Sequence, residues 1–314
     1  MSRQPQVQPQ LRVIATPSAT RLETCLEMFT LHQEASRHTP RTQEFYRYTL
    51  GGFLSFLEGE GIDIPEDIES RHIRKFIVAK QRQGCKDTTV HGYARAIKTF
   101  CNFLVVEGFL EDSPMRKVTM PKLEKKIHPP FAREDVEKLL KACQGPLALR
   151  DKAIILCLLD SGLRASEFLS LNVGDVDRDG MVKVMGKGQK ERFVRLGARA
   201  RKAMLRYLSD RGPTKPGDVL WMGVRGRLTR GGLQQRLRKL GKLAGVEDCH
   251  PHKFRRTFAL WSARSGIDAH HLRLLLGHET LEMAKLYLDM VKEDVEEAHK
   301  QASPVDRFLS KKRR

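Results

Sequence analysis

No stretch of this sequence approaches the roughly 18 consecutive apolar residues that a membrane span requires, so a spanning helix is not expected. The start, MSRQPQVQPQLRVIATPS, has no apolar h-region and does not read as a secretory signal. Its Gln and Pro content reads as a disordered tail over residues 1–20. No C-x-x-C pair occurs among the six cysteines at 25, 85, 101, 143, 157 and 249. Most of them sit in apolar helical patterns, which argues against a disulfide framework and for reduced core thiols in a cytoplasmic protein. The stretch EDCHPH brings Cys249, His250 and His252 together, but no second Cys/His pair has ligand spacing and acids are scarce nearby. A metal site is therefore not expected, and no internal repeat is apparent.

What remains is a chain of 314 residues, enough for about two domains, with 40% hydrophobic and 30% charged residues. Its formal net charge is +19, and that charge is unevenly placed. Residues 1–112 hold 14 Lys+Arg against 14 Asp+Glu, so residues 113–314 carry all of the excess. A polyanion is the natural partner for such a surface, and nucleic acid is the commonest one.

Helical periodicity runs through residues 21–112 in four segments, with exits at Gly59/Gly61, Gly84 and Gly108 and an expected N-cap at Asp87. Within this module, acids gather at positions 58–69. The bases Arg71, Arg74, Lys75 and Lys80, then Arg95 and Lys98, are candidate phosphate contacts. Residues 113–130 hold four prolines and a basic excess and read as an extended linker. From 131 the pattern is helical again, interrupted by DVDRDGMVKVMGKGQKERFVRLG, whose alternation about Gly-Lys-Gly predicts a small antiparallel hairpin. Helices are expected at 197–211, 229–244, 252–265, 268–276 and 281–289. The fold class is mainly α with a small antiparallel β-sheet, α+β, with a break at Ser303-Pro304 and a short tail over 304–314.

Phosphate-handling side chains fall in the second half. Arg164 follows a glycine at the start of a helix, and Lys187 sits at the hairpin turn. His252 and Arg255, three apart, share one helical face. His278 follows Gly277, and Tyr287 lies nine residues on, among apolar residues. Taken singly, each has an ordinary reading: a surface arginine, a solvated lysine, a helix-end histidine, a packed tyrosine ring.

Taken in order, they resemble the tyrosine recombinases, the phage-integrase family, and most closely its compact Xer-type members. The segments GLRASE, GKGQKER, HKFR and LGH, with Tyr287 nine residues after His278, fill all six positions of the family pattern. The resemblance covers about residues 20–303. It departs at Arg256, where many members have His, and in a longer amino-terminal tail. It implies a core-binding (SAM-like) domain over 21–112 and a catalytic domain over 131–303, together forming a C-shaped clamp on double-stranded DNA. It assigns Arg164, Lys187, His252, Arg255, His278 and Tyr287 to catalysis, with Tyr287 the nucleophile and Glu167 in support. Lys190, Arg192 and Arg256 join the expected DNA contacts. It further implies a specific recombination site, four protomers on DNA, accessory directionality proteins in some systems, a carboxy-terminal tail docked on a neighbour, and no cofactor. A type IB topoisomerase and a non-enzymatic DNA-binding regulator are the alternatives.

Overall fold

The computed structural model describes residues 20–123, 129–186, 191–277 and 280–303. It divides into two compact units, Met1–Lys126 and Ile127–Arg314.

The amino-terminal unit contains the four expected helices: α1 (Leu22–Ala35), α2 (Pro40–Gly59), α3 (Ser70–Arg82) and α4 (Asp87–Val106). Local chemistry fixes their ends. Thr39 caps α2 by accepting the Thr42 amide at 3.3 Å, and Pro40 supplies a first residue that has no amide to satisfy. Gly61, Gly84 and Gly108 all adopt positive φ just beyond a helix. Asp87 is the first helical residue rather than the cap; that place falls to Lys86, whose side chain makes no capping bond. The apolar faces meet around Phe29, Phe53, Phe76 and Phe100, all essentially inaccessible. Edge-to-face contacts at 5.1 Å (Phe53–Phe76) and 5.5 Å (Phe29–Phe100) order that core.

The segment expected as a linker over 113–130 starts inside this unit. Pro114–Lys117 form a 3-10 turn, and Met115 and Val118 are buried in the helical core. Ser70 Oγ donates to the Pro114 carbonyl at 2.9 Å and Arg74 to the Lys117 carbonyl at 2.6 Å. Two apolar residues spaced three apart are enough to anchor a stretch whose prolines suggest only extension.

The second unit contains α5 (Arg133–Ala142), α6 (Ala148–Ser161), α7 (Ala165–Ser170), α8 (Ala198–Arg211), α9 (Arg230–Ala244), α10 (Pro251–Arg264), α11 (Ala269–Leu276) and α12 (Glu282–Ala302). Strands β1 (Met181–Met185) and β2 (Glu191–Arg195) form the expected antiparallel hairpin, Met181 opposite Arg195 and Met185 opposite Glu191. Val182 and Val184 face the core while Lys183 and Met185 face solvent. A second ribbon, β3 (Met222–Gly223) with β4 (Gly226–Arg227), carries too few residues to give an alternating signal. The main core packs α6, α7, α9 and the start of α10 around Ile155, Leu158, Phe168 and Phe254. Trp221 is stacked between Phe168, at 4.6 Å, and Tyr207, at 5.7 Å. A smaller core joins α10, α11 and α12 through Phe258, Leu260, Leu272, Leu276, Ala284 and Tyr287. Among the described residues, no helix is long and apolar enough to cross a membrane.

Candidate active site

The site is built where α6 and α11 end and α7 begins. Helix α6 terminates at Gly162, whose φ of +59° reverses the chain. A Cβ there would lie 2.2 Å from the Phe258 ring, so only glycine fits. Two residues on, Arg164 stands at the N-cap position of α7 and receives its anchor from within that helix. Glu167 Oε2 accepts the Arg164 amide at 2.9 Å, and Oε1 accepts its Nη1 at 2.9 Å.

Glu167 is buried and also holds Arg192, which reaches in from β2: Nη1 to Oε1 at 3.0 Å and Nη2 to Oε2 at 2.7 Å. Burial pushes the Glu167 carboxyl up. The hydrogen bonds and charges of Arg192 and Arg164 outweigh it and hold the group below the usual carboxylate range. Arg192 was expected to contact DNA. Its side chain is instead 14% exposed and turned into the protein.

The C-terminus of α11 gathers the guanidiniums. Leu275, Leu276 and Gly277 present three successive carbonyls, each taken by a different arginine. Arg192 Nε donates to Leu275 at 3.2 Å, Arg255 Nη2 to Leu276 at 2.7 Å, and Arg164 Nη2 to Gly277 at 2.8 Å. Arg255 Nη1 donates in turn to the Gly162 carbonyl at 2.8 Å, so two helix C-termini share this one side chain. Carbonyls without intrahelical partners at the negative end of the helix dipole suit cations well. Gly277 has φ +63°, and a Cβ on it would stand 3.0 Å from Arg192 Cζ. Burial and the nearby charge of Arg164 bring Arg255 down to about 10.

Helix α10 presents His252, Arg255 and Arg256 at i, i+3 and i+4, one face. Burial, then Arg255 and Arg256, lower the His252 imidazole and keep it neutral at neutral pH. Arg256 Nε is buried and has no hydrogen-bond partner among the described residues. On α12, Tyr287 is 8% exposed and its ring packs in the small core. Burial raises its phenol, while Arg255 and Arg256 pull it part of the way back.

The structure thus brings Arg164, Glu167, Arg192, Arg255, His252, Arg256 and Tyr287 into one region. Lys187, Lys190 and His278 lie outside the described residues. Among those described, no group of three His, Cys, Asp or Glu side chains is placed to hold a metal ion. Neither the contact of Arg192 with Glu167 nor the three carbonyls has a motif in the sequence. The glycines beside Arg164 and His278 were the available signal, since each closes a helix whose end faces an arginine.

The other expected DNA contacts lie on the amino-terminal unit. Arg71 pairs with Glu69 at 3.0 Å, Lys75 with Glu60, and Arg74 with the Lys117 carbonyl. Lys80 lies over the rings of Phe76 and Tyr93 and Arg95 over Phe45, while Lys98 is exposed.

Residues 131–294 match the phage integrase family. The chain is 30% identical over 295 residues to tyrosine recombinase XerC of Oceanobacillus iheyensis, covering 90% of this chain and 95% of that protein. It is 32% identical over 272 residues to tyrosine recombinase XerD of Pseudomonas aeruginosa, covering 84% and 91%. Its fold is similar to that of the XerH site-specific recombinase bound to palindromic difH substrate, with 21% identity, 87% and 82% coverage and a TM-score of 0.70. It is also similar to a lambda integrase dimer bound to a COC' core site, with 16% identity, 86% and 77% coverage and a TM-score of 0.71.

Proposed function

The chain belongs to the phage integrase family and is a tyrosine-type site-specific recombinase, and from that premise we propose that Tyr287 is the nucleophile that cuts and rejoins DNA strands. What carries this reading is the pair of guanidiniums, Arg164 and Arg255, held on the adjacent carbonyls of Gly277 and Leu276. A guanidinium has five N–H groups. Each of these two gives up only a couple to the protein, leaving donors for the non-bridging oxygens of a phosphodiester.

The phenol oxygen of Tyr287 forms a bond to phosphorus, and the bond from phosphorus to the 5′-oxygen breaks. His252, neutral and on the face of Arg255, takes part in moving the phenol proton. Lys187 delivers a proton to the departing 5′-oxygen, and His278 donates a further hydrogen bond to the phosphate. The products are a 3′-phosphotyrosine on Tyr287 and a free 5′-hydroxyl. A 5′-hydroxyl from a second duplex reverses the step, so the ester itself retains the bond energy. Charge neutralisation comes from arginines, and neither ATP nor a metal enters the scheme.

The substrate in this reading is double-stranded DNA with a specific recombination site, held by both units, with four protomers assembled on it and an accessory directionality protein in some reactions. Work on DNA with reduced thiols agrees with a cytoplasmic location. The carboxy-terminal tail, with Val305, Phe308 and Leu309, lies outside the described residues; its proposed docking place is a neighbouring protomer. Neither a topoisomerase nor an inert regulator is favoured over recombination, because the relatives are recombinases over nearly the whole chain.

Tyr287→Phe tests the reading. On a nicked substrate that traps covalent protein, the wild type should form an adduct in the presence of EDTA. The variant should bind the same DNA and form none. An adduct in the variant would move the nucleophile to another tyrosine, and cleavage that requires added Mg²⁺ would overturn the metal-free scheme.

A further inference from the structure

We infer that Arg192 is a positioning residue that ties the β1–β2 hairpin to the phosphate-binding arginines, through Glu167 and the C-terminus of α11. The inference rests on the recombinase reading above and adds to it a residue that touches neither DNA nor the reacting atoms.

The geometry is specific. Arg192 bonds both oxygens of Glu167, at 3.0 and 2.7 Å, and its Nε bonds the Leu275 carbonyl at 3.2 Å. Glu167 in turn holds the amide and the guanidinium of Arg164. Arg164 and Arg255 take the next two carbonyls of the same helix end. One side chain therefore closes a ring of four elements: β2, α7, the end of α11, and α10 through Arg255. Strand β2 follows directly on the segment that carries Lys187. Gly277 is matched to Arg192 by contact, since a Cβ there would meet its guanidinium. A planar fork fits two carboxylate oxygens and a third acceptor at once; an ammonium does not.

The chemistry gives the ring a distinct signature. The groups facing Glu167 are Arg164 from α7, Arg192 from β2 and, by charge, Arg255 from α10, the last of which it helps to keep protonated. With all of them present the carboxyl is held low and stays charged across the neutral range. Without Arg192, its hydrogen bonds and charge are lost, and burial pushes the carboxyl up. Protonated, it no longer pins Arg164. Cleavage by the variant should then be lost as pH falls through a range in which the wild type is level.

The experiment uses the full chain on a nicked DNA substrate at saturating protein, with adduct formation by the wild type established first. Failure of the wild type to form an adduct would count against the recombinase assignment of Tyr287, not against this ring. Arg192→Gln should bind DNA within about twofold of wild type with an unchanged salt slope. Its first-order cleavage rate should fall on the order of 10²-fold, as misplacement near a reacting centre does, and should recover as pH rises. Arg192→Lys should restore the wild-type pH profile but not the full rate. Gly277→Ala, which reaches the same guanidinium from the other side, should give the same loss of rate with binding kept. A salt slope reduced by about one with an unchanged cleavage rate would make Arg192 a phosphate contact. A pH profile superimposable on the wild type in Arg192→Gln would overturn the role in either case. If Arg192→Gln does not fold, Arg192→Lys and Gly277→Ala decide, and normal cleavage in both sinks the inference.

Discussion

Arg256 shows how a single residue departs from its surroundings. A buried guanidinium nitrogen without an acceptor costs about 1–3 kcal/mol, more for a charged group. Such an orphan in a folded protein calls for a ligand or a functional reason. Arg256 is on the same face of α10 as His252 and Arg255, and its charge is felt at Tyr287. A phosphate oxygen would satisfy it. Arg256→Gln is expected to be at least as stable as wild type in thermal unfolding, because it removes a buried N–H that has no acceptor among the described residues. It is also expected to weaken binding of site DNA by about 1–3 kcal/mol, read from the ratio of Kd values at fixed salt. Lower stability with unchanged affinity would show that the guanidinium serves the fold. The sequence made Arg164, His252, Arg255 and Tyr287 legible, because their order and spacing form a pattern. It did not show the bonds of Arg192 to Glu167, because a surface phosphate and a buried carboxylate ask for the same side chain. The carbonyls of 275–277 were not legible at all, since every residue has one and only the fold decides which are exposed.

At the scale of elements, the site depends on where helices stop. Gly162 and Gly245 both end helices in the left-handed region, at φ +59° and +64°, yet their surroundings differ. A Cβ at Gly245 meets nothing within 4 Å, whereas one at Gly162 lands in the Phe258 ring. Gly245→Ala should therefore cost only the backbone term, about 1–2 kcal/mol. Gly162→Ala adds overpacking of about 1–3 kcal/mol more and displaces the carbonyl that holds Arg255. Urea unfolding of the two variants separates these contributions. Equal losses would mean that the Phe258 ring yields freely and that the α6–α7 turn is not a rigid support. Helix positions and glycine exits were legible because period and punctuation are local. The burial of Met115 and Val118 was not, because a core met from another part of the chain leaves no local period.

At the scale of the whole molecule, charge rather than fold carries the binding prediction. The excess of +19 falls entirely after residue 112, yet the amino-terminal unit has bases of its own, and they are not equivalent. Lys75 and Arg71 already have carboxylate partners in Glu60 and Glu69, and Arg74 gives one of its N–H groups to a backbone carbonyl. A phosphate gains less from a charge whose field a carboxylate already offsets. Lys98 is exposed and Arg95 only rests on the Phe45 ring. Site DNA should bind with a steep salt dependence, a slope of log K against log salt of about −5 to −9 if roughly 6–10 phosphates are neutralised. The double substitution Arg95→Gln, Lys98→Gln should reduce the magnitude of that slope by about 2. Arg71→Gln, Lys75→Gln should reduce it by less, because those charges were largely compensated before DNA arrived. The comparison needs only titrations of one site DNA at several salt concentrations with the three proteins. A larger loss in the second pair would mean that DNA strips Glu60 and Glu69 from their partners, placing α3 rather than α4 against the backbone.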